Sequence, residues 1–200
     1  MLNINRYCQF QNKQCLVDGK VLFQHQDATV KQFLSGVYHT LNLDYMKFFK
    51  MDALSKLGFL ASEVLLDVTN GNTETGLFFA NSYSSLDTDA HYQQTIGENY
   101  FPSPAVFVYT LPNIVLGEIC IRHRIYGENV FLVGCDCQSS HLIQYVEQAF
   151  DDSGLKNALV GWLDCYEEYC NAFVMLVSRK DKGSLELNES NVNQLIIKKE

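Results

Sequence analysis

Seven cysteines and five histidines carry most of the reactive chemistry available to this chain. The cysteines are Cys8, Cys15, Cys120, Cys135, Cys137, Cys165 and Cys170, and the histidines His25, His39, His91, His123 and His141. The tightest thiol pair, Cys135-Asp136-Cys137, has with Cys165 and Cys170 the donor types of a thiolate metal site. A Cys-x-Cys step is not a usual zinc-knuckle spacing, however, and no metal is expected. An odd number of cysteines without a secretory leader reads as reduced core thiols rather than a disulfide framework. Cys137 itself is either a reactive thiol or an inert core residue. Asp164, Glu167 and Glu168 read as a solvated acidic turn. Ser82, Ser84, Ser85, Asp87 and Asp89 read as a loop and helix cap rather than a nucleophile with its base, and His141 as a partly buried polar residue rather than a general base.

These groups need a scaffold, and composition says which kinds are open. The chain has 200 residues, 47% of them hydrophobic and 19% charged, which suits one globular domain with a sizeable core and excludes disorder, coiled coil and collagen-like structure. No apolar run reaches the ~18–20 residues of a membrane span. The net charge of −8 repels phosphate backbones, and only Lys198 and Lys199 cluster against it, so nucleic acid is not an expected partner. The first residues, MLNINR, lack the basic and apolar regions of a signal peptide, so a cytoplasmic protein is expected.

Neither a repeat nor a Pro/Gly-rich linker divides the chain, and residues 1–200 read as a single domain, with 1–42 and 180–200 the least assigned. Residues 4–10 and 15–23 around Asp18-Gly19 suggest a strand or hairpin. Met51, Leu54, Leu57, Ala61, Val64, Leu65 and Val68 repeat at helical spacing, with Glu63 off the stripe and 70–72 as the stop. Tyr45, Phe48 and Phe49 before it read as core or interface aromatics. Residues 75–80 form a short apolar run, as in a strand buried on both faces. Pro112 suits the first turn of a helix to Arg122 that is apolar nearly all round, with capping to explain Asn113 and Gly117 allowing a close approach. Residues 130–133 suggest a strand, and Leu142, Ile143, Val146, Ala149 and Phe150 a helix from near Ser139. Residues 158–163 and 172–177 then suggest two adjacent strands. The pattern is α/β with a mixed sheet.

Several of these segments, in order, resemble the β-ketoacyl synthases of the thiolase superfamily. They are residues 50–57 (KMDALSKL), 76–89 (GLFFANSYSSLDTD), 103–113 (SPAVFVYTLPN) on to Gly117, and 127–137 (GENVFLVGCDC), with Gly154 and 158–161 (ALVG) beyond. The resemblance covers roughly 43–177 and corresponds to the N-terminal half of a family whose enzymes have two similar halves. It implies a thiolase-like half: a mixed, mostly parallel five-stranded sheet flanked by helices.

The resemblance also implies chemistry. In the family, a cysteine at the amino end of a buried helix accepts an acyl chain from the phosphopantetheine of an acyl carrier protein, helped by the helix dipole and an oxyanion hole of backbone N–H groups. Decarboxylation of the malonyl partner then uses two histidines from the second half. By alignment from Gly154 and Ala149 the nucleophile position is Cys137; from Gly161 or Gly127 it is Asp136. A carboxylate there would accept no acyl chain and would raise the pKa of the neighbouring thiol. None of the five histidines lies in a segment resembling the family's histidine motifs. The expectation is therefore a ketosynthase-like half-domain, inactive alone, serving as companion to a full-length ketosynthase in fatty-acid or polyketide-type assembly, for example of a polyene lipid. The alternatives are a synthase or acyltransferase using Cys137 with a partner's histidines, and a scaffold or ligand-binding protein that keeps only the fold. The resemblance implies a homodimer or heterodimer through the strand at 130–133, and no bound cofactor.

Overall fold

The computed structural model describes residues 1–66, 74–97, 101–134, 139–179 and 185–197. The chain opens with three antiparallel strands, β1 (Asn3–Gln11), β2 (Gln14–Val17) and β3 (Lys20–Gln24). Their two-residue turns carry positive φ at Asn12, Lys13, Asp18 and Gly19, the backbone that short hairpins require. Helix α1 (Val30–Thr40) follows, begun by a capping box between Thr29 and Gln32, and then a short 3-10 helix, Met46–Lys50. Helix α2 (Ala53–Leu65) starts at Asp52, whose carboxylate accepts the Ser55 N–H at 2.9 Å.

Strand β4 (Thr75–Asn81), helices α3 (Leu86–Gln94), α4 (Pro104–Phe107) and α5 (Ile114–His123), and strand β5 (Asn129–Val133) come next. They are followed by α6 (Ser139–Asp152), β6 (Asn157–Tyr166), β7 (Tyr169–Ser178), β8 (Leu185–Glu186) and α7 (Glu189–Ile197). The eight strands of the described residues form one sheet in the order β3-β2-β1-β7-β6-β4-β5, with β8 beside β1. Strands β5 and β6 run parallel to β4, whereas β7 is antiparallel to both β6 and β1. The expected five-stranded core is therefore present as β5-β4-β6-β7-β1, four strands pointing one way and β7 the other. Strands β2 and β3 extend it beyond β1, whose other edge pairs with β2.

Alternate side chains of the strands feed two cores. Leu77, Phe79, Leu159 and Val174 join the packing of α1, α2 and α5 on one face. Phe78, Val160, Phe173 and Met175 join that of α6 and α7 on the other. This explains why every residue of β4 is buried and its sequence is apolar without alternation.

Four expectations change in detail. The helix after Pro112 begins at Ile114, so Pro112 lies in the preceding turn, and Asn113 caps it without a side-chain hydrogen bond. That helix is two-sided: Val115, Leu116 and Ile119 are buried, while Ile121 is 64% exposed. The close approach is not at Gly117, where an added Cβ would meet nothing within 4 Å, but at Gly58 of α2, where it would strike Val115. The helix expected over 51–68 ends at Leu65 by the described residues, and Val68 and residues 70–72 lie outside them.

Candidate functional site

Strand β5 is the outermost strand of the core sheet and, among the described residues, is bonded only to β4. It ends at Val133, and the Gly134 N–H donates to the Asn81 carbonyl at 2.9 Å. The 14-residue helix α6 begins at Ser139. Cys135, Asp136 and Cys137, which include both candidates for the nucleophile position, lie outside the described residues, as do Lys198 and Lys199. What the structure gives is the frame on either side: the end of an edge strand and the amino end of a long amphipathic helix.

The loop after β4 lies beside that frame and is tightly held. The Asn81 amide donates to the Ser84 carbonyl at 2.8 Å and accepts the Ser84 N–H at 2.9 Å. Asp164, expected in a solvated turn, is buried instead and accepts from Ser82 N–H (2.9 Å), Ser82 Oγ (3.0 Å), Tyr83 N–H (3.3 Å) and Trp162 Nε1 (2.5 Å). Ser85 donates to the Thr110 carbonyl. With their hydroxyls so occupied, Ser82 and Ser85 act as structural loop residues. The turn itself, Glu167-Glu168, is likewise engaged: Glu168 pairs with Lys13 at 2.7 Å and accepts the Val30 N–H at 3.0 Å, while the Glu167 N–H donates to Asp87 at 3.0 Å.

Between α1, α2, α3 and this turn lies a cavity of about 480 Å³. Asp52, Lys56, Thr88, His91 and Tyr109 are on its wall. Burial raises the Asp52 carboxyl above its ordinary range despite hydrogen bonds from Ser55 and Thr88. Burial, with Lys31 adding to it, lowers the Lys56 ammonium. Tyr109 donates to Glu118 at 3.0 Å, and its phenol is raised by burial and by that carboxylate.

A second polar cluster, not expected from the sequence, sits at the other end of α2 and α5. Arg122 holds Glu63 by two bonds of 2.7 and 3.1 Å and lies 5.0 Å over the Tyr45 ring. His123 Nε2 is 3.2 Å from Glu63 and 3.0 Å from Ser62 Oγ, which gives its own proton to the Phe59 carbonyl. Burial opposes ionisation of Glu63, but bonds from His123 and Arg122 outweigh it and hold the carboxyl below its usual range. Serine, histidine and glutamate suggest a catalytic triad, yet both contacts fall on the same imidazole nitrogen and all three side chains are buried. The cluster ties α2 to α5. Glu63, read as a residue of the polar face, belongs to the interior here.

His141, expected to be partly buried, is exposed. No group of three or more His, Cys, Asp or Glu residues among the described residues could hold a metal ion. No single helix among them is long and apolar enough to cross a membrane.

No protein-family model matches the chain, and neither does any curated protein. Solved structures do. A chain of the ishigamide ketosynthase/chain length factor superposes with a TM-score of 0.66 at 15% identity, over 92% of this chain and 64% of its own length. A chain of the ketosynthase ApeO in complex with its chain length factor ApeC, from Xenorhabdus doucetiae, gives 0.61 at 12% identity, over 90% and 79%. A chain of AntDE:AntF, a type II polyketide acyl carrier protein in complex with its ketosynthase, gives 0.62 at 13% identity, over 89% and 62%. The fold is thus the thiolase-like fold of ketosynthase and chain length factor structures. The chain spans somewhat less than two thirds of the length of the first of these neighbours.

Proposed function

We propose that the chain is a single ketosynthase-like half-domain that acts, in the cytoplasm, as the non-catalytic companion of a β-ketoacyl synthase in fatty-acid or polyketide-type assembly, for example of a polyene lipid. The observation that carries this reading is the outer edge of β5, the strand leading to residues 136 and 137, which no other strand pairs among the described residues. An unpaired strand edge invites a second sheet. The exposed apolar side chains Phe107, Val108, Leu111 and Ile121, on α4, α5 and the segment joining them, enlarge the surface a partner would cover. Structures of the same fold include a ketosynthase bound to its chain length factor, which supports a partner of like fold.

The histidines support the non-catalytic part. Decarboxylation asks for two imidazoles at one thiol, and none of the five histidines lies in a segment resembling the family's histidine motifs. The buried one, His123, is committed to Glu63 and Ser62. Co-expression with a full-length β-ketoacyl synthase, followed by size exclusion with light scattering, tests the reading. A stable complex is expected, and a monomer both alone and mixed with the synthase would overturn it.

One observation favours a second reading, in which Cys137 takes an acyl group from an acyl carrier protein and a partner supplies the histidines. A thiol just before the first turn of α6 would have its thiolate favoured by the helix dipole. Incubation with an acyl thioester and intact-mass measurement decides between them: an adduct lost in Cys137→Ala establishes the acyltransferase reading. Neither adduct nor complex would leave a scaffold that keeps only the fold.

A further inference from the structure

Strands β6 and β7 are joined by the two residues Glu167 and Glu168; Tyr166 pairs with Tyr169, and one step down the ladder Cys165 stands directly opposite Cys170. Directly paired antiparallel residues have Cα atoms about 4.5–5.5 Å apart, inside the range of about 4.4–6.8 Å from which a disulfide closes without backbone movement. Paired residues also point to the same face, and both side chains belong to the core under α1 and α2. Both are free thiols. The other described cysteines lack this arrangement: Cys8 faces Val17 and Cys15 faces Phe10 across β1 and β2, and Cys120 is on α5.

Both residues are buried, Cys165 at 3% and Cys170 at 9% exposure, and only one of them borders a cavity. Cys170 forms part of the wall of a cavity of about 220 Å³ with Gln11, Asn12, Lys13 and Glu168, and Cys165 does not. We propose that Cys165 and Cys170 are a redox dithiol that a peroxide converts to a cross-strand disulfide, with Cys170 attacked first from this cavity. The Cys170 thiolate displaces hydroxide from the O–O bond, giving a sulfenic acid, and the hydroxide leaves as water with the thiol's proton. The Cys165 sulfur then attacks the Cys170 sulfur, forming S–S as S–O breaks, and the second oxygen leaves as water with the Cys165 proton. Two thiols lose two electrons and one peroxide becomes two waters. The order follows also from Cys165, whose thiol is held protonated by its hydrogen bond to Cys170 and by burial.

The placement gives the bond a consequence. Glu167 and Glu168, on the turn directly above, line the cavity of about 480 Å³, and Glu168 holds the first N–H of α1. A disulfide would fix the stem from which that wall projects.

Peptide mapping tests this on the full chain. Cleavage after Lys156 and Arg179 releases residues 157–179, which contain these two cysteines and no other. The folded chain is treated with hydrogen peroxide, quenched with catalase, unfolded and alkylated. The peptide is expected to escape alkylation and to be about 2 Da lighter than the dithiol until a reductant restores it; oxidation of Met175 adds about 16 Da and is resolved separately. In Cys165→Ala the Cys170 sulfenic acid is expected to be trapped by dimedone, whereas in Cys170→Ala the Cys165 thiol stays fully alkylatable. Full alkylation of both thiols in the peroxide-treated wild type overturns the proposal, as does equal closure in folded and urea-unfolded protein.

Discussion

Asp52 and Glu63 lie on the same helical segment, and their surroundings push them in opposite directions. Burial raises Asp52; Glu63 is lowered because His123 and Arg122 outweigh its burial. The contribution of Glu63 to stability is present above its unfolded value of about 4.3 and is lost as pH falls through the lower native value. That of Asp52 is present below its unfolded value of about 3.9 and is lost as pH rises through the higher native one. At neutral pH Asp52 is therefore a cost carried for its two hydrogen bonds, and Asp52→Asn, which keeps a capping oxygen, should hold or raise the Tm. Asp52→Ala should cost about 1 kcal/mol, and Glu63→Gln should flatten the acid side of a Tm-against-pH curve. A lower Tm for Asp52→Asn at pH 7 would contradict this account. Asp52 reads in the sequence, like Glu63, only as a polar residue off the apolar stripe, and its role as the cap of α2 comes from the structure. The settings of Glu63 and Asp164 were not legible, because their donors come from distant segments: Arg122 and His123 for one, Ser82 and Tyr83 for the other. One clue was local. Trp162 and Asp164, two apart in a strand, share a face.

Helix α2 meets α5 closely at Gly58, where a methyl group would strike Val115, whereas Gly117 on α5 looks onto open space. The two glycines thus separate the packing cost of a side chain from its backbone benefit. Gly58→Ala should lower stability by about 1–3 kcal/mol through overpacking. Gly117→Ala should raise it by about 0.5–1 kcal/mol, since glycine inside a helix is the poorer former. Thermal unfolding followed by circular dichroism reads both, and a stabilised Gly58→Ala would refute the packing described. The sequence suggested the opposite assignment, because an apolar helix around Gly117 looks as if it must be enclosed. It is not, since its outer side carries Ile121 into solvent. Helix α1 shows a different kind of gap. The capping pair Thr29 and Gln32 and the apolar spacing Val30, Phe33, Leu34, Val37 were both present in a stretch left unassigned. They gain their meaning from the strands just before them, where Phe33 packs on Phe10 and Phe23 and Gly36 lies against Phe23.

The core of the sheet and its two covered faces were foreshadowed by the order of apolar runs and helical stripes, since burial on two faces and on one leaves different patterns, whereas the edge at β5 followed only from the family resemblance. The pairing of the chain's beginning with β7 was not, because register between distant strands leaves no local mark. Asn3 lies beside Ser178, and the Asn5 amide donates to the Ser178 hydroxyl at 2.7 Å across 173 positions of sequence. A chain ending at residue 168 keeps β1 to β6 but opens an edge on β1 and on β6 together. It should be insoluble or lack a cooperative thermal transition, and a soluble fragment with a sharp melt would refute the role given to β7.

That long-range pairing also has a bearing on synthesis. The hairpin of β1, β2 and β3 leaves the ribosome well before β7, the strand that pairs with it. In that interval its inner edge stands open to any other nascent strand. Loop closure over such a span is slow, so the rate of elongation and the presence of a holding chaperone should decide how much of the chain reaches its native state.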